Sequence, residues 1–237
     1  MSIRQIYISL LLVVCVVPTA LAEKGELKSL EQKFSYTLGY TFGTQMKGQV
    51  VAIDKDALIS AIQDVFSGKK PKLSKEDMTN ALNEVNAKIA KLSQEKAQKT
   101  LEEGKKFLEE NKKMEGIVAL PNGIQYLVLN KGKGESPKQD SDVTVHYVGT
   151  RISGAVFDSS KRHGGPATFN LGRVIPGFRD AISKMKAGSK WQVFIPSELA
   201  YGPAGSPPSI KPNETLVFEI ELISFKNKEP KKAAEKK

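Results

Sequence analysis

The sequence predicts an α+β protein in which helices come first and an antiparallel β-sheet follows. Residues 23–116 contain 7 Gly and 1 Pro, whereas residues 117–225 contain 12 Gly and 9 Pro. The second segment also holds 10 of the 17 aromatic residues and the only Trp. Because Gly and Pro interrupt helices and mark turns between strands, this shift divides the chain into a helical part and a β-rich part.

Residues 1–22 have the pattern of a signal peptide. Arg4 precedes an apolar run, and small residues at Ala20 and Ala22 suit a signal peptidase, so we expect cleavage after Ala22. The alternative is an uncleaved anchor helix, although the run is short for the roughly 20 residues that span a bilayer. No later stretch could span a membrane. The mature protein is therefore expected to be soluble and exported, in the periplasm, the outer membrane or at the cell surface.

Residues 23–73 predict a helical dimerisation domain. A second helix is expected to begin after Asp54 and to stop at Gly68. Two short helices make a thin core, so we expect a homodimer in which a second copy covers both apolar faces. The alternative is an intramolecular pair packed on the third helix. The first helix is predicted by apolar residues that recur every four positions: Leu30, Phe34, Leu38, Phe42 and Met46.

Residues 74–116 predict one long connecting helix. Ser74 and Asp77 form a capping-box pattern at its start, and Gly104 and Gly116 are candidate places for a bend or an end. It is expected to run from Lys75 to about Met114, some 60 Å, and its second half, charged on every face, is typical of a helix that bridges domains through solvent. An apolar stripe that we expect to be buried occupies its first half: Met78, Leu82, Val85, Ile89 and Leu92.

Residues 117–225 carry the strand signals, with one short helix between Phe178 and Met185. In the last strand Leu216, Phe218, Ile220 and Leu222 point one way, while Val217, Glu219 and Glu221 point the other. Residues 226–237 are predicted to be a disordered Lys-rich tail. The six predicted strands are short β-rich runs separated by turn residues: 124–129, 143–148, 155–157, 168–171, 191–195 and 216–225.

The residue inventory excludes most catalytic chemistry. Cys15 is the only cysteine and lies in the signal segment, and His146 and His163 are the only histidines, so a Cys nucleophile and a thiolate or histidine metal site lack their residues. The sequence has no Gly-x-Ser-x-Gly elbow, Walker loop or dinucleotide fingerprint. We expect no cofactor and no metal.

The net charge of +10 does not indicate a nucleic-acid-binding protein. Residues 23–116 hold 17 basic and 15 acidic residues (+2), and residues 117–225 hold 12 and 9 (+3). The remaining excess lies mainly in the tail. Since neither folded part is strongly basic, we expect no nucleic-acid partner.

Five motifs in the β-rich part occur in the order and at the separations found in one enzyme family: VHYVG at 145–149, VFDSS at 156–160, VIPGF at 174–178, AYG at 200–202 and NETLVFE at 213–219. Residues 117–225 thereby resemble the FKBP-type peptidyl-prolyl cis/trans isomerases. The helical part, with FSYTLG at 34–39 and the long charged helix, looks like the macrophage infectivity potentiator branch of that family, whose members are exported bacterial dimers.

The resemblance implies an FKBP-like sheet wrapped around one short helix, with an isomerase pocket. It assigns catalytic roles to Tyr147, Phe157, Asp158, Tyr201 and Phe218, and substrate binding to Val174, Ile175, Phe178 and Ile210. The implied partners are proline-containing polypeptides and macrolide-type inhibitors. The family usually has Trp where this chain has Phe178, which predicts a somewhat deeper floor, and many relatives have an aromatic rim residue where it has Ala167. The loop 203–212 also differs from the family pattern.

The sequence is therefore compatible with two functions. The first is an isomerase of exported proteins, with chaperone activity, that rotates X-Pro bonds in a dry aromatic pocket without covalent catalysis. The second is a non-catalytic periplasmic or surface module, either a chaperone that holds clients between its domains or an adhesin whose lysine tail binds a polyanion.

Overall fold

A computed structural model describes residues 26–47 and 51–227 of the chain. The predicted signal peptide and nearly all of the predicted tail lie outside the described residues. The chain divides into two compact units, one up to Ser74 and the other from Lys75 onward. None of the described helices has both the length and the hydrophobicity that a membrane crossing requires.

The first unit contains helix α1 (Leu30–Met46) and helix α2 (Lys55–Phe66). The Ser29 side chain and Gln32 form a capping box at the start of α1, and the Asp54 carboxylate accepts from the Asp56 and Ala57 N–H groups at the start of α2. Both helices therefore begin where a side chain can satisfy backbone donors that have no partner within the helix. A turn follows α2 at Gly68, whose φ is +66°.

The apolar stripes of the first unit are exposed. No residue of α1 is buried, and Leu30, Phe34 and Leu38 are 79, 62 and 56 % exposed. In α2, Val65 and Phe66 are 76 and 88 % exposed. Every buried hydrophobic residue of the described chain lies between Ile124 and Leu222, so the first unit has no hydrophobic core of its own.

The second unit opens with helix α3 (Lys75–Asn111), whose 37 residues span about 55 Å. The prediction that its first-half stripe is buried is wrong for the single chain, because Leu82 is 65 % exposed and Met78 is also exposed. The other three residues of the stripe, Val85, Ile89 and Leu92, are only half-buried. The helix ends at Asn111, three residues earlier than predicted, and it continues through Gly104 without interruption.

The second half of α3 is not a solvent-bridging rod, contrary to the prediction. Its Phe107 ring lies 5.9 Å from Phe194, and the buried Asn111 amide donates to Gln125 at 2.8 Å. A Cβ on Gly104 would collide with the Thr215 side chain, so glycine permits the close approach at this point. This face escapes a search for apolar periodicity because Gly and Asn form much of it.

The rest of the second unit is a seven-stranded antiparallel sheet with one short helix. The main order is β1-β2-β6-β7-β3-β4, and β5 also pairs with β3. The helix, α4, spans Pro176–Ile182. The strands are β1 (Ile117–Ala119), β2 (Gln125–Asn130), β3 (Asp142–Arg151), β4 (Val156–Ser159), β5 (Ala167–Asn170), β6 (Lys190–Ile195) and β7 (Leu216–Lys226).

The core lies between the sheet and α4. Ala181 and Ile182 of α4 are completely buried, together with Ile220 and Leu222 of β7. Glu219 and Glu221 are exposed as predicted, but Val217 is only 7 % exposed. Val217 pairs with the buried Phe194 on β6, and Phe107 of α3 contacts that same ring. Helix α3 thus covers part of the sheet face that the sequence alternation assigns to solvent.

Candidate active site

A cleft of about 360 Å³ brings eight of the nine predicted site residues together. Strands β3, β4 and β7, the start of α4 and the segment at Tyr201 supply them. Phe169 and Arg173 line the same cleft and were not predicted. The lining residues are Tyr147, Phe157, Asp158, Phe169, Arg173, Val174, Ile175, Phe178, Tyr201 and Phe218.

Aromatic rings in edge-on contact form the apolar part of the cleft. The Phe178 ring centre lies 5.2 Å from that of Phe218 and 6.2 Å from that of Tyr147. Phe157 contacts Phe218 at 5.6 Å with an interplanar angle of 88°. These distances and angles are those that aromatic quadrupoles favour, so the rings hold one another in place. Phe178 and Phe218 are each only 5 % exposed and form the bottom of the cleft.

Gly149 gives these rings room above strand β3. A Cβ at this position would lie 2.6 Å from Phe157 Cζ and 2.9 Å from Phe218 Cε1. Both distances are too short for a real side chain, so any residue other than glycine would displace the two rings. The glycine that ends the VHYVG motif is therefore a packing requirement of the cleft.

The Asp158 carboxylate is surrounded by donors. Oδ2 accepts from the Tyr147 hydroxyl at 2.7 Å, and Oδ1 accepts from the Ser159 N–H at 2.8 Å. The ring Nε2 of His163 lies 2.9 Å from Oδ1. Since the two oxygens together have three neighbours, the carboxylate is held in one orientation beside the phenyl rings.

These contacts shift the titration of the polar groups in the cleft. Burial alone would raise the pKa of Asp158, but the hydrogen bonds from Tyr147, His163 and Ser159 outweigh it and lower that pKa below its usual value. Burial, followed by the hydrogen bond to Asp158, raises the pKa of Tyr147 far above its usual value. Burial and the negative charge of Asp158 also raise the pKa of Tyr201. At neutral pH the cleft therefore contains a carboxylate and two neutral phenols.

The Ile175 N–H and the Tyr201 hydroxyl are donors at the cleft that have no partner within the described part of the chain. Ile175 caps the start of α4, where its carbonyl accepts from Phe178 and Arg179 while its own N–H stays unpaired. Tyr201 is 41 % exposed and stands before the turn at Gly202–Ala204. Both donors are available to a bound peptide carbonyl.

Ile210 is the predicted site residue that the structure does not place in the cleft lining. It is 4 % exposed and belongs to the hydrophobic core. The loop that carries it is anchored from below, because Arg151 Nε donates to the Ser209 carbonyl at 3.1 Å and pairs with the buried Glu214 at 3.5 Å. Ile210 thus packs into the core from the loop that follows Tyr201.

Phe169 adds an aromatic ring to the cleft lining near Ala167, where many relatives have a rim ring. It lies two residues further along β5, on the same face as Ala167, and its ring is 5.7 Å from Tyr147 and 6.2 Å from Phe178. Strand alternation from Ala167 is the signal that could have identified it. Arg173 carries no such signal, because it lies in the short turn before α4.

Comparisons with known proteins match both parts of the chain. Residues 133–223 match the model of the FKBP-type peptidyl-prolyl cis-trans isomerase, and residues 31–128 match that of the domain amino terminal to it. The outer membrane protein MIP of Legionella longbeachae is 40 % identical over 211 residues, which cover 87 % of this chain and 91 % of that protein.

Two further comparisons extend over similar lengths. The peptidyl-prolyl cis-trans isomerase Mip of Coxiella burnetii is 36 % identical over 206 residues, 85 % of this chain and 90 % of that protein. The crystal structure of FkpA from Escherichia coli superposes with a TM-score of 0.68 at 37 % identity and covers 85 % of this chain and 99 % of that one.

Proposed function

Because this chain belongs to the FKBP-type peptidyl-prolyl cis-trans isomerase family, we propose that the aromatic cleft is where it rotates X-Pro bonds of exported proteins. One observation carries the proposal: a single cleft combines phenyl rings, a fully engaged carboxylate and two hydrogen-bond donors without partners. These are the groups that a non-covalent isomerase requires.

Rotation about an X-Pro bond has a barrier of about 18–20 kcal/mol, because amide resonance is lost in the twisted state. The twisted imide is less dipolar than the planar one, so water stabilises it less. A cleft walled by Phe157, Phe178 and Phe218 excludes water and favours the twisted state relative to solution. Each ~1.4 kcal/mol of that preference raises the rate tenfold.

The polar groups orient the peptide in this mechanism. The Ile175 N–H and the Tyr201 hydroxyl donate to substrate carbonyls, while Asp158 and Tyr147 face the carbonyl that precedes proline. Val174 and Phe178 contact the proline ring, and macrolide-type inhibitors compete for the same surface. The Asp158 pair is oriented before substrate binds, so it needs no reorganisation during the rotation.

The proposal includes export and dimerisation. Export is supported by the sequence of residues 1–22. It is also supported by the Legionella relative, whose name calls it an outer membrane protein. A homodimer through residues 23–73 is supported by the exposure of Leu30, Phe34 and Phe66 in a unit without a core of its own. A second copy would remove these side chains from water.

A chaperone function is the second candidate. The exposed apolar side chains of α1 and α2 favour it, since such surface binds unfolded segments if it is not fully covered in the dimer. Isomerisation and client holding can coexist in one protein, because the surfaces they use lie in different units.

Two variants separate the functions: Asp158→Leu and Tyr201→Phe. Asp158→Leu is expected to lower kcat/KM for an X-Pro peptide by about 10- to 100-fold, and Tyr201→Phe by about fivefold. Suppression of client aggregation is measured on the same samples. Tyr126→Phe is the matched control, because that ring stacks on Trp191 at 4.1 Å and lies outside the cleft lining.

Retained isomerisation in Asp158→Leu would contradict the proposed site. Loss of isomerisation with full aggregation suppression would show that holding is independent of the cleft. Loss of both activities would make catalysis the primary role.

A further inference from the structure

The Asp158 carboxylate has a histidine as its neighbour on the far side from Tyr147. His163 ends the short turn Ser160–His163 after β4, and its Nε2 lies 2.9 Å from Asp158 Oδ1. Its side chain is 60 % exposed, so water and protons reach it freely. Asp158 is the only acidic residue that lines the cleft.

We propose that His163 is a positioning residue for the isomerase reaction: as an imidazolium it holds the Asp158 carboxylate, and through it the Tyr147 hydroxyl, in the orientation that the reaction uses. The inference rests on the proposed function, since it assigns a role to a neighbour of the proposed catalytic pair.

The charge of the imidazole sets the strength of its contact with Asp158. An imidazolium and a carboxylate attract each other as opposite charges in addition to their hydrogen bond, whereas a neutral imidazole offers the hydrogen bond alone. When the imidazole loses its proton, the contact at Oδ1 weakens and the charge of Asp158 is no longer compensated there. An uncompensated carboxylate attracts water into the cleft, whereas the proposed mechanism requires that water be excluded from it.

Other charged or titratable groups face this pair from the neighbouring segments. Tyr147 on β3 donates to Oδ2. Across the cleft, burial and the negative charge of Asp158 raise the pKa of Tyr201. Arg162 Nη1 donates to the Phe157 carbonyl, and Arg173 lines the cleft from the turn before α4. Arginine stays charged at every physiological pH, and both phenols have raised pKa values. Histidine is the one side-chain type in this group that ordinarily exchanges its proton in the physiological pH range.

The chain offers a matched control, because it contains two histidines. His146 lies on β3 next to Tyr147, but its Nδ1 is 3.2 Å from the Ser160 hydroxyl, and the cavity that it lines also contains Glu219 and Glu221. A change at His146 perturbs the same strand without touching Asp158.

The test measures kcat/KM at pH 5.5 and pH 8 by protease-free NMR exchange, with a capped Leu-Pro peptide that has no ionisable group. The wild-type value is expected to be about two- to fivefold higher at pH 5.5. His163→Arg, a permanent cation, is expected to keep the acid-side value at both pH values. His163→Gln, which is never charged, is expected to keep the lower value at both, and His146→Gln to follow the wild type.

A wild-type pH profile in His163→Gln would overturn the inference, and so would a fall in His163→Arg between pH 5.5 and pH 8. An active wild-type protein with a flat profile would overturn this inference alone. A wild-type protein that is inactive at both pH values would overturn the proposed function, and this inference with it.

Discussion

At the scale of the residue, Asp158 shows how a charge is kept in a cleft of phenyl rings. Burial favours the protonated acid, but Tyr147, Ser159 and His163 together favour the carboxylate more strongly. The same hydrogen bond has the opposite effect on its donor, since Tyr147 would have to ionise next to a negative charge. The pair is thus stable in one protonation state, a carboxylate and a neutral phenol.

The lowered pKa of Asp158 predicts how this pair contributes to stability. Between the folded and the unfolded pKa values the unfolded chain binds more protons than the folded chain, so folding stability rises with pH there. The stabilisation by the Asp158 carboxylate is present above the ordinary carboxyl pKa of about 3.9. It is lost as the pH falls through the lowered pKa of the folded chain.

Urea unfolding of the wild type and of Asp158→Asn at a series of pH values measures this difference. The wild type is expected to be the more stable at pH 7, and the gap should narrow as the solution becomes acidic. A gap that stays constant down to the lowest pH would show that the carboxylate charge does not stabilise the fold. Asp140→Asn is the control, because this exposed carboxylate forms no ion pair in the described chain.

At the scale of the element, helix α3 joins the sheet through contacts that do not look like a core. Ala97 offers its carbonyl to the Asn213 amide at 3.2 Å, Leu108 offers its carbonyl to Gln125 at 2.9 Å, and Gly104 lets the chain approach Thr215. Backbone carbonyls and the absent side chain of Gly104 make most of these contacts. The periodicity of apolar residues along α3 therefore does not predict them. The three-residue strand β1 escaped prediction because of its length.

The close approach at Gly104 predicts that alanine destabilises the protein at this position but not at a helical glycine in open space. Gly104→Ala would improve helix propensity by about 1 kcal/mol, but its Cβ would lie 3.2 Å from Thr215 Cβ and closer still to the hydroxyl. Overpacking of this kind costs about 1–3 kcal/mol, so we expect net destabilisation of the second unit in urea unfolding.

Gly39→Ala is the matched control, because it too lies inside a helix but a Cβ there meets no atom of the described chain within 4 Å. It should not destabilise the second unit. If Gly104→Ala were as stable as the wild type, α3 would not be packed against Thr215 as described.

At the scale of the whole molecule, the distribution of buried residues separates the two units. The cleft and the entire hydrophobic core belong to the unit that begins at Lys75, whereas α1 and α2 expose their apolar faces. The first unit therefore exposes the apolar surface that the proposed dimer would cover, and the second unit contains the proposed catalytic cleft.

Light scattering at micromolar concentration tests the dimer. The chain from residue 23 is expected to be a dimer, and a fragment from Lys75 is expected to be a monomer that keeps isomerase activity. Phe34→Glu should give monomers, because it places a charge on a side chain that is 62 % exposed in one copy. Lys33→Glu on the same helix is the control and should stay dimeric. A monomeric wild-type chain would contradict the proposal.

Residue types and their order were enough to determine the α+β class, six of the seven strands and the residues that line most of the cleft. Helix periodicity, strand alternation and the five motifs are local properties of the chain, and local properties can be read along it. The exposure of the α1 stripe, the docking of α3, the burial of Ile210 and the role of Phe169 depend on which surfaces meet. These contacts depend on packing between residues far apart in sequence, so only the tertiary structure decides them.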